Sequence, residues 1–66
     1  MTRLMVFTRE EDAEEAVSAH VTERALAGED TVIEFEHGIA WCMDMAGATT
    51  LEVRYAPFEE VGRLRN

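Results

Sequence analysis

The pattern of apolar and polar residues predicts four short strands in this chain. Residues 2–8 form the first predicted strand, which carries apolar side chains on both of its faces. Period-two alternation predicts three more strands over residues 31–36, 39–45 and 49–55. Each of these three has one face of large apolar side chains and one face of acids and small residues. Their succession along the chain favours a three-stranded antiparallel meander.

A long helix is predicted between the first strand and the meander. Thr8 is placed to cap its first turn, and Glu11, three residues later, completes a capping box. The helix is expected to run to about Ala27, where Gly28 supplies the left-handed residue that ends it. Leu26 is expected to pack back beneath the helix end. One helix stripe of mostly small residues is expected to face the sheet, and it consists of Ala13, Ala16, Val17, His20, Arg24 and Ala27.

The length of the loop near residue 37 decides which face of the meander is buried. A two-residue loop, 37–38, would place Trp41 beside Glu34. A three-residue loop, 36–38, would instead pair Trp41 with Ile33 and leave one face wholly apolar, so we prefer it. Trp41 is therefore predicted to be buried under the helix, on the same face as Ile33, Phe35, Leu51 and Val53.

The last ten residues predict a short helical turn. Pro57 ends the last strand, and Phe58, Val61 and Leu64 then recur at intervals of three. The whole chain, residues 1–66, is predicted to be a single α+β domain with the order β-α-β-β-β. One helix packs on one sheet face, and the neighbour of the first strand in the sheet is left open.

Composition narrows the classes of function. The 66 residues include 14 acids against 6 basic residues, a net charge of −8, which disfavours direct binding to nucleic acid. A hydrophobic content of 47% favours folding over disorder. Apolar runs fall far short of the ~20 residues of a membrane span, and we expect no leader peptide and a cytoplasmic location. Cys42 is the single cysteine, so an internal disulfide is excluded.

Catalytic and metal-binding patterns are not apparent. His20 lies in the apolar helix stripe and is expected to pack at the core edge, and His37 is expected in a turn. Ser18 has no glycine-rich elbow around it, and Cys42 is expected on the acidic outer sheet face, where its pKa would rise. We therefore predict no enzyme activity, no cofactor and no metal site. A ligand or metal module built on His20, His37 and Cys42 is kept as a third alternative.

Two groups of acids are candidate binding surfaces. Five of the six residues 10–15 are acidic, which is more than the helix dipole needs, although a solvated helix start is the structural alternative. A second group is expected on the outer sheet face. Carboxylates spaced in this way can imitate phosphates and occupy a basic channel. The candidate partner-binding residues are Glu10, Glu11, Asp12, Glu14, Glu15, Glu34, Glu36, Asp44 and Glu52.

An apolar strip is also expected on the outer sheet face. It would consist of Met5, Phe7, Val32, Ala40 and Cys42. Either the apolar residues of the C-terminal turn cover this strip, or it is an interface with a partner or a second copy. Both a monomer and a homodimer therefore stay open.

The basic residues are all arginine, which suggests a GC-rich genome such as that of a high-GC bacterium or its phage. In size and acidity the whole chain resembles the small phage-encoded inhibitors, the anti-CRISPR and anti-restriction proteins. The resemblance implies a non-enzymatic inhibitor in the bacterial host cytoplasm. Such an inhibitor would block or mimic nucleic acid at the basic surface of a nucleic-acid-binding complex, such as a CRISPR effector. The alternative is a regulatory or antitoxin-like subunit that binds its partner or itself through an apolar sheet face.

Overall fold

Residues 2–56 are described by the computed structural model, and they form a four-stranded mixed sheet with one helix on one face. Along the sheet the strands lie in the order first, fourth, third and second, with the first parallel to the fourth and the other neighbours antiparallel. The α+β prediction and the antiparallel meander are confirmed. The predicted C-terminal turn, with Phe58, Val61 and Leu64, lies outside the described residues. The elements are β1 (Arg3–Phe7), α1 (Glu10–Leu26), β2 (Val32–Glu36), β3 (Ile39–Met43) and β4 (Thr49–Tyr55).

The helix begins one residue later than predicted. Its N-cap is Arg9, whose carbonyl accepts hydrogen bonds from the amides of Asp12 and Ala13, both at 3.2 Å. Thr8 is not the cap, and no side chain caps the first turn. Arg9 has the extended conformation of an N-cap (φ −115°, ψ 131°), so the helical turns start after it. The Phe7 carbonyl accepts a hydrogen bond from the Ala56 amide at 3.0 Å and so remains part of the sheet. The acids of the first turn stabilise the helix start, because negative charge is favourable beside the free amides at the positive end of the helix dipole.

The C-terminal end of α1 forms a Schellman motif. Gly28 has φ +81°, and its amide donates to the Ala25 carbonyl at 2.9 Å. The Glu29 amide donates to the Arg24 carbonyl at 3.0 Å, which completes the motif. The prediction for Gly28 is confirmed. Leu26, expected to pack beneath the helix end, is instead 86% exposed.

The loop between β2 and β3 has two residues, so the preferred register was wrong. His37 (φ +49°) and Gly38 (φ +77°) both occupy the left-handed region, as a type I′ turn requires. Glu36 therefore pairs with Ile39, and Trp41 pairs with Glu34. Because a one-residue slip reverses both faces of a strand, Trp41 lies on the face opposite the helix.

Small residues of β3 pack against the small-residue stripe of the helix. Ala13 and Val17 of α1 are buried together with Ala40 and Cys42 of β3. Two short side chains on each surface allow α1 to approach the sheet closely, and Trp41 on this face would hold the helix away. From β4 the same core receives Leu51 and Val53, which are 1% and 2% exposed.

The apolar strip predicted on the outer face is mostly core. Cys42 is fully buried, Ala40 is 5% exposed, and Met5 and Phe7 pack against the core cluster beneath α1. Only Val32 lies on the face opposite the helix, as its pairing with Met43 shows. The prediction failed for Ala40 and Cys42 because the pairing of β3 with its neighbours is displaced by one residue, and for Met5 and Phe7 because they pair with Val53 and Tyr55 of β4.

The parallel pairing of β1 with β4 places the first strand at one edge of the sheet. Arg3 pairs with Leu51 and Phe7 with Tyr55. Thr2 Oγ1 extends this junction by donating to the Thr49 carbonyl at 2.7 Å. Over the described part of the chain, no helix has the length and apolar character to cross a membrane.

Candidate protein-binding surface

The sheet face opposite α1 carries the residues that alternate with the core positions. We call this surface the open sheet face. No helix of the described range covers it, because α1 packs only on the other side of the sheet, over β4, β1 and β3. Its members are Leu4, Val6, Val32, Glu34, Glu36, Ile39, Trp41, Met43, Glu52 and Arg54.

The centre of the open sheet face is a row of three residues from three strands. Trp41 pairs with Glu34 on one side and with Glu52 on the other. With neighbouring strands about 4.8 Å apart, the backbone positions of the two glutamates are roughly 10 Å apart across the indole. Glu52 Oε2 accepts a hydrogen bond from Arg54 Nε at 2.6 Å. An aromatic side chain thus lies between two acids at the middle of a surface that no helix of residues 2–56 covers.

Apolar side chains surround this row. Leu4 and Val6 of β1 are 60% and 62% exposed, and Trp41 is half-buried like its β3 neighbours Ile39 and Met43. Glu36 lies at the hairpin end of the face with a largely exposed side chain. The face therefore combines exposed apolar area with three carboxylates and one guanidinium.

Asp44 does not lie on this face, contrary to its predicted position. β3 ends at Met43, and Asp44 is the first residue of the turn that follows. One carboxylate oxygen, Oδ1, accepts hydrogen bonds from the amides of Ala46 and Ala48, both at 2.9 Å. Asp44 therefore has a turn-forming role, which is typical of aspartate at this position.

The acids of the helix lie on the other side of the sheet. Glu10, Asp12, Glu14 and Glu15 are all exposed, and Glu10 and Glu14 also border a groove between α1 and β2. Glu11 forms an ion pair with Arg9. The structure thus separates the two predicted acidic groups, and a flat basic surface can meet one of them at a time.

His20 is a packed residue at the core edge, as expected. It is 8% exposed, and its Nε2 lies 2.8 Å from Thr50 Oγ1. Thr50 is the extra residue of a β-bulge, since Cys42 pairs with Leu51 and Met43 with Thr49. Because Thr50 Oγ1 donates to the Cys42 carbonyl at 3.1 Å, it accepts from Nε2–H of neutral His20.

Burial lowers the pKa of His20, and the nearby Arg24 guanidinium lowers it further. The buried Nδ1 has no hydrogen-bond partner among the described residues. A proton there would therefore create a buried cation without an acceptor.

The residues of the ligand-module alternative are not brought together. Cys42 is in the core, where burial raises the pKa of its thiol, whereas the His37 side chain is 90% exposed at the hairpin tip. Across residues 2–56, no three histidine, cysteine or acidic side chains form a group suited to a metal ion.

Sequence reasoning missed the aromatic and apolar members of the open sheet face, except Val32. Ile39, Trp41 and Met43 were predicted to lie in the core. Ala40 and Cys42, which alternate with them along β3, were predicted to lie on the outer sheet face. One signal could have corrected this: His37-Gly38 joins two residue types that adopt positive φ readily, which favours a two-residue turn.

No protein-family model, curated protein or solved structure matches this chain.

Proposed function

We propose that this protein is a non-enzymatic acidic inhibitor that occupies the basic surface of a nucleic-acid-binding complex. The open sheet face makes the contact. The class of target follows from the resemblance to the anti-CRISPR and anti-restriction inhibitors. The observation that carries this proposal is the cross-strand row of Trp41 between Glu34 and Glu52.

The row suits an arginine or lysine of the target. A cation placed over an indole gains about 0.5–2 kcal/mol from the ring, and flanking carboxylates can accept its hydrogen bonds. Nucleic-acid-binding surfaces are rich in these two side chains. Apolar neighbours such as Leu4 and Val6 add contact area that a purely electrostatic decoy would lack.

The net charge of −8 supports a target of opposite charge. Long-range attraction of this kind speeds association and weakens with salt, because exposed charges are screened over about 10 Å at 0.1 M. Nucleic acid would compete for the same basic surface.

Purified CRISPR effector complexes and restriction enzymes form the test panel. Each is mixed with the protein, and binding to its target DNA is measured by electrophoretic mobility shift. We expect DNA binding by at least one complex to be blocked, with a steep loss of inhibition on raising salt. Unchanged DNA binding across the panel would contradict the proposal.

A second candidate function is a regulatory or antitoxin-like subunit that associates through the same face. The exposure of Leu4 and Val6 favours it, since exposed apolar area on one sheet face is typical of interfaces. In that case affinity would be insensitive to salt, and Val6→Asp would abolish binding while charge reversals would not.

A further inference from the structure

The strand β2 is an edge strand that the helix leaves uncovered. It pairs only with β3, and within the described residues no Cα atom of α1 lies within 8 Å of one in β2. All five residues Val32–Glu36 are exposed. On the side of the sheet that carries the helix, Ile33 is 37% exposed and Phe35 is 72% exposed.

A groove runs between α1 and β2. Two adjoining cavities of about 430 Å³ and 450 Å³ share Glu14, Val17 and Phe35, so the groove is continuous along the helix. Its floor is apolar, with Val17 and Val21 on the helix side and Ile33 and Phe35 on the strand side. We call this the α1–β2 groove.

Hydrogen bonding within the sheet identifies which backbone groups of β2 point outward. The Tyr55 amide donates to the Gly38 carbonyl at 2.8 Å, so alternate β3 residues, beginning with Ala40, bond to β4. The backbone groups of Ile39, Trp41 and Met43 therefore bond to those of their partners on β2, which are Glu36, Glu34 and Val32. The amides and carbonyls of Ile33 and Phe35 are left facing away from the sheet.

The acidic side chains of β2 and of the groove border determine the charge of a strand that could pair with β2. Glu34 and Glu36 lie on the open sheet face, and Glu10 and Glu14 border the groove on the other side. A second copy in antiparallel pairing would place Glu34 opposite Glu34 or Glu36, or else Glu36 opposite Asp30. Like charges directly opposite are destabilising, so β2 disfavours itself. The other edge strand, β1, carries Arg3 and no acid, so its charge does not favour a basic segment.

We infer that the β2 edge binds an extended segment of the target by strand addition. The segment alternates apolar residues, which enter the α1–β2 groove, with arginine or lysine, which face Glu34 and Glu36. This inference rests on the proposed function for the charge of the target, and it names the form in which the target presents that charge. Main-chain hydrogen bonds to Ile33 and Phe35 supply affinity, and the alternating side chains supply specificity.

The test uses the full chain and a capped heptapeptide of alternating arginine and valine. Amide hydrogen exchange is followed by NMR with and without the peptide. At a peptide concentration ten times Kd, exchange at Ile33 and Phe35 is expected to slow about tenfold. The amides of β1 serve as the internal control and are expected not to respond.

Matched peptides separate strand addition from simple charge attraction. N-methylation of the valines is expected to abolish binding in an antiparallel arrangement, and N-methylation of the arginines in a parallel one. Equal affinity of both methylated peptides would overturn the inference, as would equal binding of a peptide with glutamate in place of arginine.

Matched variants test whether the peptide binds at the α1–β2 groove. Phe35→Asp is expected to weaken peptide binding at least tenfold, whereas Met45→Asp, at an equally exposed apolar position in the turn after β3, leaves it unchanged. Slow exchange of Ile33 and Phe35 in the chain alone would show the edge occupied by a second copy or by residues 57–66, and would overturn the inference. Because the peptide assay does not involve the inhibited complex, its failure is distinguishable from failure of the mobility-shift assay.

Discussion

Trp41 of β3 and Glu52 of β4 are directly paired, on the face of the sheet that α1 does not cover. The pairing reverses the arrangement that alternation alone suggested, in which Trp41 lies under the helix. It also moves the largest aromatic side chain of the chain from a structural position to the middle of the candidate binding surface. The energetics of Trp41 are therefore expected to differ from those of a core residue.

Truncation of Trp41 is compared with truncation of Leu51. Leu51 is 1% exposed under α1, and Leu51→Ala is expected to cost about 2–5 kcal/mol because it leaves a cavity. Trp41 is half-buried on the open sheet face, and Trp41→Ala is expected to cost about 1 kcal/mol. Urea unfolding measures both. An equal or larger loss for Trp41→Ala would contradict the register.

The elements of this fold were accessible to sequence reasoning, and so were the faces of β2 and β4, whereas the faces of β1 and β3 were not. The helix stripe and the strand segments follow from periodicity, and the helix end follows from Gly28. Alternation shows that Ala40 and Cys42 share a face and that Trp41 lies on the other, but it does not show which face meets the helix. That choice depends on the two-residue loop 37–38 and on the β-bulge at Thr50, which set the pairing of β3 with β2 and with β4.

Substitution of Gly38 tests the turn that sets the register. At φ +77° an alanine is strained, and its Cβ would also lie 2.7 Å from the Tyr55 carbonyl oxygen. Gly38→Ala is therefore expected to cost about 2 kcal/mol or more. Gly28 is the control, because it has φ +81° but nothing within 4 Å of an added Cβ. Gly28→Ala is expected to cost only the backbone strain of about 1–2 kcal/mol. Equal losses in thermal unfolding would argue against the close approach.

The buried imidazole of His20 is expected to make stability depend on pH. Its folded pKa lies below the ordinary 6.5. As pH falls through 6.5, His20 becomes protonated in the unfolded chain but stays neutral in the folded chain. The contribution of His20 is thus complete above about pH 6.5 and is lost as pH falls below it, by at most about 1.4 kcal/mol per pH unit.

Unfolding free energies of His20→Gln and of the exposed control His37→Asn, measured from pH 5 to 7.5, check this. His37→Asn is expected to keep the slope of the unsubstituted protein, and His20→Gln to flatten it. Parallel curves for all three proteins would show that His20 is not responsible.

Cys42 is expected to be unreactive in the folded chain. It is fully buried, and burial raises the pKa of its thiol, so both access and thiolate are lacking. An aromatic disulfide reagent is expected to modify it only after denaturant is added. Rapid modification under native conditions would place Cys42 outside the core and contradict the packing of β3 against α1.

The site was only partly predictable for a related reason. Carboxylates at Glu34, Glu36 and Glu52 were expected on the face away from the helix, and the structure places them there. Asp44 was not separable from them by alternation, because its role comes from hydrogen bonds within a turn. Except for Val32, the apolar members of the open sheet face could not be recognised before the register was known.

The central claim is that the open sheet face, not the helix, binds the basic surface of the target. Two variants with the same change in net charge test it, one reversing Glu34, Glu36 and Glu52 to arginine and the other reversing Glu11, Asp12 and Glu15. Circular dichroism melting first establishes that each variant is folded. The measurement is the inhibition constant of each variant against DNA binding by a complex that the unsubstituted protein blocks. The account predicts that reversing the sheet acids abolishes inhibition and that reversing the helix acids leaves it within a few-fold. Retained inhibition by the sheet variant, together with its loss in the helix variant, would contradict the account.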